Sequence, residues 1–344
     1  MNAAMLQIDA SAKPRLFLTR LIPEPGLSVA HELFAVAGGS EDRPLARELL
    51  LQGVPGADAL LCLLSEKIDG AVMDAAGSRL KVVSTMAVGY DNIDVPAATE
   101  RGILVANTPG VLTDATADLT WAMILGLARR VVEGDRMVRE GRFDQWGPFL
   151  LLGRAVAGTT LGIVGMGRIG QAVARRALGW DMRVVYTRRG GPLAPDQVPA
   201  GARWEFRHGV DEILTEADIV SLHVPLTPDT RHLIGARELA LMRPGSFLVN
   251  TARGPVVDES ELVEALRSGH LGGAALDVYE REPELAPGLA DLANVLLLPH
   301  LGSATVETRG RMSEVAVRNA IAAVRGEPVP YLVNPEVLSR MMTP

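Results

Sequence analysis

The run Gly165-Met166-Gly167-Arg168-Ile169-Gly170 has the spacing to cradle a pyrophosphate. Among 35 glycines such a run is a weak signal alone, but its surroundings strengthen it. An apolar segment, residues 160–164, enters it and an Ala/Arg-rich segment leaves it, the strand–turn–helix context of a dinucleotide site. Gly165 permits the tight turn, Gly167 lets backbone approach the phosphates, and Gly170 lets helix and strand pack closely. The helix start at Arg168 and Ile169 adds N–H groups and a positive dipole end. About 20 residues onward a bare ribose diol calls for Asp or Glu. Tyr186-Thr187-Arg188-Arg189 stands there instead, with no acidic residue between Asp181 and Asp196. Two guanidiniums, with Thr187 as a further donor, fit a 2′-phosphate. The expected cofactor is NADPH/NADP+, with NADH/NAD+ the less favoured.

Two more residues have chemistry to offer. Arg253 follows the Asn250-Thr251 end of an apolar strand, near the crevice where doubly wound sheets bind ligands. A guanidinium there grips a carboxylate through two parallel bonds and polarises the neighbouring carbonyl. His300 lies just after the apolar segment 295–298 and can exchange a proton near neutral pH, as ketone-to-alcohol conversion requires. An acid nearby would orient the imidazole and favour its charged form. Glu280, Glu282 and Glu284 serve equally well on proximity grounds.

These groups need a scaffold, and the chain reads as parallel α/β. Strands are expected at residues 15–21, 59–63, 80–85 and 103–106. A second series falls at 160–164, 183–186, 219–222, 247–250, 274–277 and 295–298. Helices are expected at 169–178, 236–241, 259–268 and 305–324. Residues 114–139 read as one long helical run capped by Thr113 or Asp114, followed by a Trp/Pro/Leu-rich connection at 144–152. The stretch around Pro192, Pro195 and Pro199 reads as a solvent-facing connection.

In this order the motifs resemble the D-isomer-specific 2-hydroxyacid dehydrogenases, glyoxylate/hydroxypyruvate reductase branch. The resemblance runs from about Arg15 to Pro335, with no appended regulatory domain expected beyond. It rests on Val88-Gly89-Tyr90-Asp91-Asn92-Ile93-Asp94, Asn107-Thr108-Pro109-Gly110, Thr113-Asp114-Ala115-Thr116-Ala117-Asp118 and the glycine run. Then follow His223-Val224-Pro225-Leu226-Thr227-Pro228, Asn250-Thr251-Ala252-Arg253-Gly254, Ala275-Leu276-Asp277-Val278-Tyr279-Glu280, Glu282-Pro283 and Pro299-His300-Leu301-Gly302-Ser303-Ala304-Thr305. The resemblance implies a catalytic set of Arg253, Glu282 and His300, and it is the family spacing that selects Glu282. It implies that Val88 and Gly89 present backbone groups to a substrate carboxylate, joined there by Arg253 and His300. Thr113, Val224, Pro225, Thr251 and Asp277 become cofactor-pocket residues, with Asp277 at the nicotinamide amide. Trp146 fits a hydrophobic cover that reaches a neighbouring subunit, or else plain packing. Residues 114–139 are implied to form a homodimer interface.

The implied fold is two Rossmann-like domains: a doubly wound parallel-sheet cofactor domain inserted into a flavodoxin-like substrate domain. The expected boundaries are residues 1–108 and 300–344 for the substrate domain and 109–299 for the dinucleotide-binding domain. The implied activity is NADPH-dependent reduction of glyoxylate, and of hydroxypyruvate, to the 2-hydroxy acid. The alternatives are an NAD-dependent dehydrogenase of a bulkier D-2-hydroxy acid and a nucleotide-sensing interaction protein on the same scaffold.

Composition narrows the remaining classes. At 344 residues the chain exceeds what one core usually organises, and 48% apolar residues exclude wholesale disorder. A formal charge of -7 provides no bulk attraction to nucleic acid or anionic membrane. Cys62 is the only cysteine, in an apolar run, so it reads as a small buried hydrophobe, and no metal site is expected. The N-terminus lacks a secretory pattern and its first dozen residues read as a loose tail; a cytoplasmic protein is expected.

Overall fold

The computed structural model describes residues 13–341, and the expected N-terminal tail lies outside them. The chain divides into two compact units, Met1–Leu112 with Thr305–Pro344, and Thr113–Ala304. These divisions fall after residues 112 and 304, a few residues beyond the expected 108 and 299. The displacement has a local cause: Thr113 already belongs to a helix of the second unit, and Thr305 caps the helix that re-enters the first.

Unit 1 runs β1 (Arg15–Leu18), α1 (Gly26–Leu33), β2 (Ala35–Gly38), α2 (Arg47–Gly53), β3 (Ala59–Cys62), α3 (Gly70–Ala76), β4 (Val82–Thr85), α4 (Val95–Glu100) and β5 (Leu104–Ala106). Unit 2 follows with α5 (Thr113–Ala128), α6 (Val131–Arg139), β6 (Thr160–Val164), α7 (Arg168–Ala177), β7 (Arg183–Thr187), β8 (Arg203–Phe206), α8 (Val210–Glu216), β9 (Ile219–Leu222), α9 (Ala236–Leu241), β10 (Phe247–Asn250), α10 (Glu259–Arg267), β11 (Gly273–Leu276) and β12 (Val295–Leu297). The chain then returns to unit 1 as α11 (Val306–Arg325) and α12 (Glu336–Met341).

Both sheets are parallel throughout. Unit 1 has the order β2-β1-β3-β4-β5, the flavodoxin-like arrangement, and unit 2 the order β12-β11-β10-β9-β6-β7-β8. Strands covered by helices on both faces must be apolar on both faces, and β3, β4, β9, β10 and β11 are buried at every position. Each sheet accordingly carries one core cluster on either side. Cys62 is fully buried in one of them, and burial pushes its thiol up to about 12. The return segment is tied to unit 1 by side chains. The buried Asn334 accepts the Val105 N–H at 2.7 Å and donates to the Ile103 carbonyl, while Ser84 donates to the Ala316 carbonyl of α11.

Several elements escaped the sequence pattern, among them β2, β8 and the short α8. The two strands lie at sheet edges and are only half covered; β2 is a short run of small residues, Ala35-Val36-Ala37-Gly38, and β8 alternates Arg203 and Glu205 with Trp204 and Phe206. The β8 edge is held instead by charge. Arg207 and Arg183 both grip Glu216, at 2.6 and 2.7 Å, and Arg207 also holds Glu205. The expected long helix over residues 114–139 is broken. Arg130 adopts a left-handed backbone with φ 53°, and the Ala128 carbonyl, instead of continuing the ladder, accepts the N–H of Arg154 at 2.8 Å. The connection after β7 is not wholly solvent-facing, since Leu193 is buried and its N–H donates to the Tyr186 hydroxyl.

Candidate active site

In unit 2 the chain order reverses between β6 and β9, and outside the carboxyl ends of those strands a doubly wound sheet binds its ligand. The glycine run begins there. Gly165 has φ +102°, and a Cβ on it would lie 2.7 Å from the carbonyl of His223, the residue after β9. Only glycine fits. Its N–H and that of Met166 both donate to the Thr187 carbonyl at 3.1 Å, so Thr187 holds the turn through its backbone. A Cβ on Gly170 would overlap the Gly165 carbonyl. A Cβ on Gly167, in contrast, would meet nothing within 4 Å, which leaves room over the backbone that caps α7. No side chain caps that helix, whose first N–H groups at Arg168 and Ile169 face an anion's requirements directly. The cradle therefore fits a dinucleotide pyrophosphate.

Beyond β7, Arg188 folds over Gly190, and Arg189 forms an ion pair with Asp229 at 3.1 Å. Sequence reading found no acid near these arginines; Asp229 comes from the loop after β9, 40 residues on, and no local spacing signals it. That loop is knotted by Thr230, whose hydroxyl donates to the Pro225 carbonyl and accepts the Thr227 N–H. Val224 and Pro225 lead into it. Thr113 opens α5, and the Thr251 hydroxyl bonds to Thr120 at 3.1 Å. His223, beside the glycine turn, is hydrogen-bonded to Ser221, and burial pushes its imidazole down to about 3, so it stays neutral.

Of the three acids near His300, the structure selects one. His300 Nδ1 donates to Glu282 Oε2 at 2.9 Å, while Glu280 pairs with His232 at 2.6 Å. A carboxylate only accepts, so Nδ1 carries the hydrogen and Nε2 is left to exchange a proton. The other Glu282 oxygen accepts the Tyr279 N–H. Burial works against Glu282 ionising. The hydrogen bond and charge of His300, the Tyr279 amide and the Arg253 guanidinium outweigh it and hold the carboxyl below its ordinary value. His300 sits at φ 56°, a conformation costly for a residue with a Cβ. Asp277 makes it tenable, its two oxygens accepting the N–H groups of Leu301 at 2.6 Å and Gly302 at 2.8 Å. Asp277 thus clamps the histidine loop from β11, a role the residue pattern did not reveal. Asn250 does the same for Arg253, accepting the Ala252 N–H and donating to the Arg253 carbonyl at 2.9 Å.

In unit 1 the expected substrate loop follows β4. The Val88 carbonyl accepts from Asn107 at 2.7 Å, which ties this loop to the end of β5; a carboxylate only accepts, so the groups Val88 and Gly89 have for it are N–H. Trp146 is 78% exposed, so it packs little against its own chain. Among the described residues no helix is long and apolar enough to cross a membrane.

Proton exchange at an imidazole, in the same unit as a dinucleotide cradle, is the chemistry of a nicotinamide-dependent oxidoreductase. The profile of the D-isomer specific 2-hydroxyacid dehydrogenases, NAD binding domain, matches residues 121–302. The chain is 50% identical over 331 residues to a glyoxylate reductase of Thermococcus gammatolerans, covering 95% of this chain and 97% of that one. A protein of Thermus thermophilus has a crystal structure similar to this one, with TM-score 0.85, 48% identity and coverage of 93% and 99% of the two chains. An NADPH-dependent glyoxylate/hydroxypyruvate reductase of Sinorhizobium meliloti, crystallised with NADP and malonate, matches at TM-score 0.81 and 31% identity over 94% and 97%. The chain belongs to the D-isomer-specific 2-hydroxyacid dehydrogenase family.

Proposed function

We propose that the protein reduces glyoxylate, and hydroxypyruvate, to the 2-hydroxy acid with NADPH. The observation that carries this reading is the His300–Glu282 pair, an imidazole with Nδ1 fixed and Nε2 available. Unit 2 is assigned the cofactor and unit 1 the substrate-domain role. The reduced nicotinamide supplies a hydride to a carbonyl carbon when bound. Arg253 grips the substrate carboxylate and stabilises charge developing on the carbonyl oxygen, and the Val88 and Gly89 backbone is assigned to the same carboxylate. His300 Nε2 gives its proton to the forming alkoxide, while Glu282 keeps the ring oriented and balances its charge. In the reverse direction neutral His300 takes the proton from a D-2-hydroxy acid.

The names of the relatives support glyoxylate as substrate, and Arg188 with Arg189 support the 2′-phosphate. A homodimer completes the proposal. In α6 no residue is buried, and Val131, Val132 and Val138 are exposed together with Phe143, Phe149 and Leu152. A groove of about 330 Å³ beside them is lined by Leu127, Val132, Leu152, Arg154, Phe247 and Leu296. An apolar surface of this kind is what a second copy would cover. Steady-state rates with NADPH and NADH, each against glyoxylate and hydroxypyruvate, test the reading. A fast bulky 2-oxo acid with negligible glyoxylate turnover sinks the substrate; a lower KM for NADH sinks the cofactor preference. Sedimentation at micromolar concentration decides the dimer.

A further inference from the structure

The loops that carry Arg253 and Glu282 come from different strand ends, β10 and β11, yet they are joined. A Cβ on Gly254, the residue after Arg253, would overlap the Tyr279 carbonyl, so the two backbones touch there. Further along the chain, at the start of α10, the joint is repeated in side chains. Glu259 Oε1 accepts the N–H of Glu280 at 2.8 Å, and Glu280 Oε2 accepts the N–H of Glu259 at 3.3 Å. The exchange is reciprocal, each carboxylate satisfying the other residue's amide. The remaining Glu280 oxygen is held by His232 Nε2 at 2.6 Å, and His232 itself stands at φ 49°. Two residues after Glu280 comes Glu282, with His300 Nδ1 on its Oε2.

A carboxylate is a costly choice for this joint. Glu259 is 3% exposed, and burial pushes its carboxyl up; the Glu280 N–H opposes this, and the Glu280 and Glu282 charges add to it. An apolar contact would bind two loops together without that cost. What the reciprocal bonds add is direction: they set the sliding position of one backbone against the other. We propose that Glu259, Glu280 and His232 form a positioning clasp that sets the register of the Arg253 loop against the Glu282 loop, and through Glu282 the orientation of His300. These are positioning residues, acting through Arg253 and Glu282. The inference rests on the proposed role of that pair in catalysis.

The clasp is tested by Glu280→Ala and Glu280→Gln, the latter keeping an oxygen for the Glu259 amide. Displacements of about 1 Å cost up to about 100-fold in rate. Glu280→Ala is expected to lower kcat by roughly 10- to 100-fold. The NADPH dissociation constant, read by fluorescence titration, should change less than about twofold. Glu280→Gln should recover most of the loss. In protein labelled with 15N-histidine, the Nδ1 shift of His300, assigned with His300→Asn, should lose the signature of its carboxylate bond in Glu280→Ala and keep it in Glu280→Gln. A lower Tm with kcat and the His300 shift both unchanged overturns the proposal, since a merely structural joint would do that. So does Glu280→Gln behaving like Glu280→Ala in both readouts. Should Glu280→Ala fail to fold, His232→Asn removes the outer bond, retains a residue tolerant of the left-handed backbone, and must move the same two readouts in the same direction. The shift needs no substrate, so it judges the clasp even if the wild-type protein reduces neither glyoxylate nor hydroxypyruvate.

Discussion

At the carboxyl end of the unit 2 sheet, between β6 and β9, the chain leaves glycine backbone; at the matching place in unit 1, between β1 and β3, it supplies a carboxylate of its own. Both places are switch points of a parallel sheet, where strand order reverses and a crevice opens. In unit 1 the Thr19 hydroxyl donates to Glu66 Oε2 at 2.9 Å, Ser65 to Oε1 at 2.7 Å, and the Leu63 N–H also reaches Oε2. Glu66 is 4% exposed, so the donors there are already spent. In unit 2 Gly167 brings no side chain and the start of α7 has no side-chain cap. One topology thus offers the same crevice twice, and a few residues at the strand ends decide whether donors serve the fold or a ligand.

The contrast can be broken in four places, from the largest effect to the smallest. His300→Asn should lower kcat by roughly 100- to 10,000-fold, as expected on loss of a general acid, with NADPH affinity retained in a fluorescence titration. Glu282 itself should stay ionised as pH falls through 4.5, the ordinary glutamate value, because, despite its burial, His300, the Tyr279 amide and Arg253 hold it below that. The orientation it gives His300 is lost as pH drops through that depressed value, where the carboxyl takes up a proton and releases the imidazole. A Glu282 carboxyl that titrates above 4.5, read by 13C NMR, would contradict the Glu282–His300 bond.

Glu66→Ala strands the Thr19 hydroxyl and the Leu63 amide, and should cost about 1–3 kcal/mol in urea unfolding. Its NADPH dissociation constant should match wild type; a shifted one would mean that the unit 1 crevice also takes the cofactor. Gly167→Ala should leave Tm unchanged, since its Cβ meets nothing and its φ of -83° suits alanine. The same change should weaken NADPH about tenfold, equivalent to about 1.4 kcal/mol, by occupying the approach to the phosphates. Equal affinity would remove the cradle from Gly167. Asp229→Asn frees Arg189 from an exposed pair whose worth is at most about 1 kcal/mol, so NADPH should bind roughly two- to fivefold tighter and NADH equally well. Tighter binding of both cofactors would show that Asp229 does not act through the 2′-phosphate.

The elements that sequence pattern located well are those with buried faces. Residues 160–164, 219–222 and 247–250 agree with β6, β9 and β10 to the residue, because a strand covered on both sides must be apolar along its length. Pattern failed where covering is partial, at β2 and β8, and where a distant N–H ends a helix, at Ala128. The site divides in the same way. Glycine spacing was legible because backbone geometry at Gly165 and Gly170 is a local demand. Which acid serves His300 was not, since Glu280, Glu282 and Glu284 differ only in where the loop points them.

Sequence alone determined the two parallel α/β units and the glycine cradle, since each follows from local backbone needs or an ordered series of motifs, and it marked Arg253 and His300 at strand ends while leaving the acid beside His300 to family resemblance. Tertiary structure alone decided that Asp277 clamps the His300 loop, that Asn250 holds the Arg253 turn, that Asp229 reaches Arg189 and that Glu259 and Glu280 exchange amides. These are hydrogen bonds within and between strand-end loops. Their partners lie far apart in the chain or at spacings with no period, and they exist only once neighbouring strands have fixed where each loop begins.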